Sequence, residues 1–372
     1  MPLGKYRIKL ALFTLFIICF QSHSEAQNPE PQAKYTYTIG GNVFQGFIIK
    51  HSENMGHLAQ SHPSGFEIFI NQNSYGPKLW QQRYNFPDIG FSFSYFDPKN
   101  EILGKQVAAT TYMDFNFRRR RSSDIIFKIG TGLVYTTNPY HSIRNNRNNA
   151  LSSPISYVMQ GRLGYNLRIT DQLKFTSAIS LTHFSNGGFK IPNSGINIVT
   201  YNLGFSQLID KKRPDYTYLT EKPLFDRNVG YNVTLSSGLK GLHNVEGRYF
   251  PFLNVSLYAD KRLNDRSALN AGMDGFYNLA LKYEVRNFDN DLNSEPDFKR
   301  AGIVVGHELF MGKLSVLTQF GAYVYRPFKS DVPVYQRYGL KYYFKDNYFA
   351  SLMLKSHGGR ADNIEWGIGV RI

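Results

Sequence analysis

Beyond its first two dozen residues this 372-residue chain has no cysteine. The only thiol, Cys19, lies in an apolar run from Leu10 to Phe20 that follows Lys5, Arg7 and Lys9 and precedes Ser24-Glu25-Ala26. That order reads as a secretory signal peptide over residues 1–26, with the mature chain beginning at Gln27. Phe16-Ile17-Ile18 lacks the small residue expected just before a lipidated cysteine, so no lipoprotein anchor is expected. A mature chain without thiols excludes disulfides, a thiolate nucleophile and Cys-based metal sites.

Long apolar runs are missing too. No later segment approaches the roughly 18 uninterrupted apolar residues of a transmembrane helix. Acidic residues are in short supply, with 28 Asp and Glu against 43 Lys and Arg and a net charge of +15. Such a basic balance suits nucleic acid or anionic lipid. Export and the lack of a basic helix or recognition motif argue against nucleic acid and for lipid headgroups. What the chain does have is aromatic residues, 26 Tyr and 29 Phe among them. A polar average with an aromatic excess suits a transmembrane barrel, whose strands are half apolar and carry aromatic girdles at both interfaces.

After a polar linker to about Lys34, alternation with period two dominates. Residues 123 to 135 place Ile125, Phe127, Ile129, Thr131, Leu133 and Tyr135 on one face, and 314 to 324 do the same with Leu314, Val316, Phe320 and Val324. Residues 273 to 285 put Met273, Tyr277, Leu279, Leu281, Tyr283 and Val285 opposite Asp274, Asn278, Lys282 and Glu284. No convincing long amphipathic helix interrupts the pattern.

Short connections (118 to 123, 168 to 171, 261 to 265, 311 to 313, 345 to 347) alternate mostly with long polar ones (137 to 152, 186 to 196, 286 to 298, 327 to 333). This is the periplasmic-turn and extracellular-loop asymmetry of outer-membrane barrels. The long charged segment 210 to 227 falls on the short-turn side as an exception. Twelve strands from residue 123 onward and two to four before it predict an all-β, antiparallel outer-membrane β-barrel of about fourteen strands, within 12 to 16, formed as one domain from 27 to 372. A secreted β-sandwich is the soluble alternative. The last strand, Ile364 to Ile372, alternates to an apolar end. It resembles the terminal signal read by barrel-insertion machinery, which makes that machinery an expected partner.

The most informative stretch is residues 181 to 197, Leu-Thr-His-Phe-Ser-Asn-Gly-Gly-Phe-Lys-Ile-Pro-Asn-Ser-Gly-Ile-Asn. Alternation gives Leu173, Phe175, Ile179, Leu181, His183 and Ser185 one face of a strand, so a base and a hydroxyl lie where only apolar groups belong. Residues two apart on a strand have Cα atoms roughly 6.6 Å apart, close enough for an imidazole to take a hydroxyl proton. Taken singly, the histidine reads as an interfacial residue and Ser-Asn-Gly-Gly as hairpin chemistry; spacing and parity together point to catalysis.

The pattern His183-x-Ser185-Asn186-Gly187-Gly188, followed by Pro192-Asn193-x-Gly195-Ile196, resembles the active-site segment of the lipid A 3-O-deacylases of the PagL type, also called acyloxyacyl hydrolases. A looser likeness through Gly130-Thr131-Gly132-Leu133 and the Asn-rich loop after Tyr140 extends it over 125 to 210. The resemblance implies an outer-membrane serine esterase that removes an ester-linked acyl chain from lipid A or a related acyloxyacyl lipid. It makes Ser185 the nucleophile and His183 the general base, with Asn186, Asn193 and the amides of Gly187 and Gly188 as candidate oxyanion donors. Lipopolysaccharide would be the substrate, and no metal or cofactor is required.

The family's third member is a glutamate, and the matching position here is Asn197, which can hold a tautomer but supplies no negative charge. Arg118 to Arg121 fall at a short turn away from this segment and suit phospholipid headgroups, whereas His141, Arg144 and Arg147 lie on its side. A transport barrel is the competing expectation, because about fourteen strands enclose a lumen that eight do not. An inactive relative that keeps only the barrel is the third.

Overall fold

The computed structural model describes residues 35–210, 213–218, 225–242, 245–288, 296–345 and 347–372. The expected signal peptide, Cys19 and the expected linker to Lys34 lie outside the described residues. Within them the chain forms sixteen antiparallel strands that close as two barrels of eight. The first comprises β1 Thr36–Ile48, β2 Ser64–Asn73, β3 Asp88–Asp97, β4 Gln106–Arg119, β5 Ser123–Thr136, β6 Ile155–Arg168, β7 Leu173–Ser185 and β8 Ile196–Leu208. The second comprises β9 Val229–Leu242, β10 Val245–Arg262, β11 Ser267–Asn278, β12 Arg300–Met311, β13 Leu314–Tyr325, β14 Val334–Tyr343, β15 Tyr348–His357 and β16 Arg360–Arg371.

Sixteen strands fall within the expected range, but the single barrel of fourteen is corrected to two. β8 pairs back onto β1, with Val43 opposite Leu203, and β16 pairs onto β9, with Val370 opposite Val233. Alternation records which face a residue occupies and is blind to which edges meet, so one large and two small closures look alike in sequence. The mark of the boundary was the misfit segment 210 to 227. Of its described residues, Tyr216 sets its ring 4.6 Å from Phe86, tilted against it, and beneath the Arg119 guanidinium at the inner end of the first barrel.

A second correction concerns residues 273 to 285. β11 stops at Asn278, whose side chain accepts from the Ala280 amide, and residues Leu279–Phe288 form a helix. Leu281 and Val285, four apart, are buried, and Ala280 packs with Leu242 and Phe250 at the outer end of the second barrel. Leu279, Leu281, Tyr283 and Val285 satisfy a strand period and a helix period over so short a span.

Both walls are apolar outside: Val43, Ile68, Phe93 and Leu163 on the first barrel and Val233, Leu257, Met273 and Ile303 on the second are exposed. The interiors are polar. In the first, Glu67 pairs with Arg162, with Lys128 3.6 Å away over the Tyr112 ring. In the second, Arg337 bridges Asp274 at 3.0 Å and Glu365 at 2.5 Å, and Lys341 meets Glu308 at 3.0 Å. An eight-stranded barrel is just wide enough for such side chains. The first leaves a cavity of about 80 Å³ among Asp88, Asp114, Asp124 and Lys174, room for a few waters. The transport expectation rested on about fourteen strands in one closure, and each closure here has eight.

Removing one partner of a buried ion pair leaves an uncompensated charge. Arg337→Leu is therefore expected to destabilise the second barrel by about 3–5 kcal/mol, measured as a lower denaturant midpoint for loss of the heat-modifiable folded band.

At the outer end of the first barrel, Met55, Leu58, Leu103 and Leu151 from the loops close over Phe44, Phe96, Phe184, Ile196 and Ile198. Burying each such side chain contributes about 1.5–3 kcal/mol. This cap fixes the faces of β7 and β8. With Phe184 and Ile196 held inside, their neighbours must point out.

Candidate active site

On β7, Ile179 is 60% and Leu181 48% exposed, whereas Ser180 and Thr182 are 1% exposed inside the barrel. His183 and Ser185 have the parity of the exposed pair and are half-buried. β8 lies beside them in a register that sets His183 directly opposite Asn197. Opposite residues on paired strands have Cβ atoms ~5 Å apart, and here His183 Nδ1 donates to Asn197 Oδ1 at 2.6 Å. With its proton at Nδ1, the imidazole keeps a lone pair at Nε2, as a general base requires.

Gly195 lets the imidazole sit where it does. It has φ +72, and a Cβ there would fall 2.8 Å from His183 Cε1. Only glycine suits both the left-handed backbone and that closeness.

Ser185 ends β7. Its Oγ accepts from the Gly187 amide at 3.1 Å and from Asn193 Nδ2 at 2.9 Å. The hydroxyl proton is therefore free to be donated. The hydrogen bonds among the described residues include none between His183 and Ser185. Asn193 is itself oriented, because its Oδ1 accepts from the Asn186 amide at 3.1 Å.

Asn186 and Gly188 have other work. The Asn186 side chain donates to Ser152 Oγ at 3.0 Å and to the Lys190 carbonyl at 2.7 Å, and its Oδ1 accepts from Gly188 at 3.0 Å. Their donors build the loop, which leaves Gly187 N–H and Asn193 Nδ2 as the two that converge on the serine.

Three further features escaped the sequence reading. His51, in the loop after β1, accepts from Asn197 Nδ2 at 3.2 Å, though 146 positions separate them. Ser152 anchors the loop from 38 positions before Lys190. The second barrel leans on the same loop: Gly241 donates to the Gly188 carbonyl at 3.2 Å, Phe189 stacks 4.6 Å from Tyr249, and Ile364 lies against Gly187. Tyr157, opposite Ser185 on β6, lies beside Trp366 of β16. Nothing local in sequence marks a lone loop histidine or a contact between two sheets.

The arginines divide. Arg119 is drawn into the inner mouth against Phe86 and Tyr216, while Arg118, Arg120 and Arg121 are exposed there. His141, Arg144 and Arg147 lie in the outer loop after β5, where His141 Nδ1 accepts from the Ile143 and Arg144 amides.

Closed sheets with an apolar outer wall define a β-barrel of the outer-membrane kind, and the first of them carries a histidine paired to an amide beside a doubly donated serine. The chain belongs to the lipid A 3-O-deacylase and acyloxyacyl hydrolase family: residues 64–206 match the model described as "Lipid A 3-O-deacylase (PagL)", and residues 229–372 match "Acyloxyacyl hydrolase, C-terminal domain". The first match begins at β2, well before residue 125, and the second covers β9 to β16, where the sequence reading recognised nothing.

No curated protein matches the chain. Among solved structures, the outer membrane enzyme PagL is 17% identical with a TM-score of 0.28, covering 45% of this chain and 98% of its own. Neisserial surface protein A is 7% identical with a TM-score of 0.33, covering 46% of this chain and 96% of its own. The COG4313 outer membrane channel of Pseudomonas putida F1 is 9% identical with a TM-score of 0.20, covering 94% and 99%.

Proposed function

We propose that the protein is an outer-membrane serine esterase that removes an ester-linked acyl chain from lipid A or a related acyloxyacyl lipid. The observation that carries this reading is the 2.6 Å bond from His183 Nδ1 to Asn197 Oδ1 beside Ser185, on the face that also carries Ile179 and Leu181. In this reading His183 Nε2 takes the Ser185 proton and Oγ attacks the ester carbonyl. Gly187 N–H and Asn193 Nδ2 stabilise the negative oxygen of the tetrahedral intermediate. Collapse returns the proton to the leaving sugar hydroxyl and leaves the acyl chain on Ser185. Water, deprotonated by the same nitrogen, releases the free fatty acid. Asn197 supplies orientation without the charge of the family's glutamate, which predicts turnover slower than that of a glutamate-bearing site.

The test is mass spectrometry of lipid A from a host without such an activity, with and without this chain in its outer membrane. Lipid A lacking one ester-linked hydroxyacyl group, with the free hydroxy fatty acid recovered, is expected. Unaltered lipid A in membranes that contain the folded, heat-modifiable protein would reject the reading.

A further inference from the structure

We infer that His51 is a positioning residue that fixes the direction of the Asn197 amide and, through it, the tautomer of His183; this rests on the hydrolase reading above. A carboxylate presents oxygen whichever way it turns. An amide does not, because turned over it presents NH₂ to His183 Nδ1, drives the imidazole proton to Nε2 and removes the base. A site with asparagine in the third position needs something to set that choice.

The bonds around Asn197 contain such a device. His51 Nε2 lies 2.9 Å from the Ser194 carbonyl oxygen, an acceptor that can only accept, so this nitrogen carries the proton. The other ring nitrogen lies 3.3 Å from the Ile49 carbonyl, a longer approach that loses to the first. His51 Nδ1 is then an acceptor and receives a hydrogen bond from Asn197 Nδ2 at 3.2 Å, which turns Asn197 Oδ1 toward His183 Nδ1 at 2.6 Å. The polarity of the chain is set at its far end by a backbone oxygen and passes through two side chains to a bare Nε2. The frame is firm on both sides: the Ile49 amide donates to the Asn197 carbonyl at 2.8 Å, and the Ser194 amide donates to the Asn149 carbonyl at 3.1 Å.

The experiment uses the full chain reconstituted with purified lipopolysaccharide and reads released hydroxy fatty acid. His51→Ala should lower kcat roughly 10-fold with KM unchanged, the worth of one lost orienting hydrogen bond. His51→Asn, whose carbonyl oxygen can replace Nδ1 as acceptor, should recover most of that loss. In the Asn197→Glu background the amide has gone, and His51→Ala should cost less than about 2-fold by the same reasoning. Equal losses from His51→Ala in both backgrounds, or none in the parent, overturn the inference while leaving the hydrolase reading intact. Activity that survives Ser185→Ala defeats the hydrolase reading itself, and the inference with it.

Discussion

Replacing Ser185 with alanine is expected to lower hydroxy fatty acid release by a factor on the order of 10⁴ or more. The magnitude follows from what the residue alone supplies. In the proposed reaction, Gly187 N–H and Asn193 Nδ2 have no attacking oxygen to work with once Oγ is gone, and His183 has no proton to take. The substitution removes one half-buried oxygen at the end of β7, so barrel formation is expected to be unchanged, as judged by heat-modifiable migration. Retention of a tenth of the parent rate by a folded Ser185→Ala protein would show that another group is the nucleophile.

The second large effect is expected from Gly188→Val, a position that makes no bond to the serine. Its φ of +84 disfavours a side chain, and a Cβ there would fall 2.6 Å from the Asp362 carbonyl oxygen in β16 of the second barrel. Backbone cannot yield as a flexible side chain can, so the loop must shift and carry the Gly187 amide with it. A displacement near 1 Å in a catalytic donor costs on the order of 100-fold. Gly247→Val separates clash from backbone strain: that glycine has φ +77 with open space around its Cβ direction, and the variant should keep the parent rate. Equal rates for Gly188→Val and the parent would show that the second barrel does not brace the loop.

Much of this was legible in the chain itself. Twelve strands from residue 123 onward, the short and long connections, and the shared face of His183 and Ser185 all rest on period two, a local and steric property. The pairing of His183 with Asn197 followed from a hairpin whose register the burial of Phe184 and Ile196 enforces. Non-local features were not legible. Whether β8 returns to β1 or passes to β9 is decided by edges 160 residues apart, and alternation on both sides is the same either way. His51 reaches the site only because the loop after β1 folds over β8, and one histidine among nine has no local pattern to mark it. The helix at 279–288 was lost to a span too short to separate the two periods.

Eight is an even number, and each closed sheet therefore hands the chain back on the side from which it set out. The connection from Leu208 to Val229 never has to traverse the hydrocarbon, and the two sheets stand the same way up. An eight-strand module can be gained, exchanged or remodelled as a block without re-threading its neighbour. The flank that Ile364 and Asp362 present to the loop of Gly187 and Gly188 is thus free to diversify while the first module stays fixed.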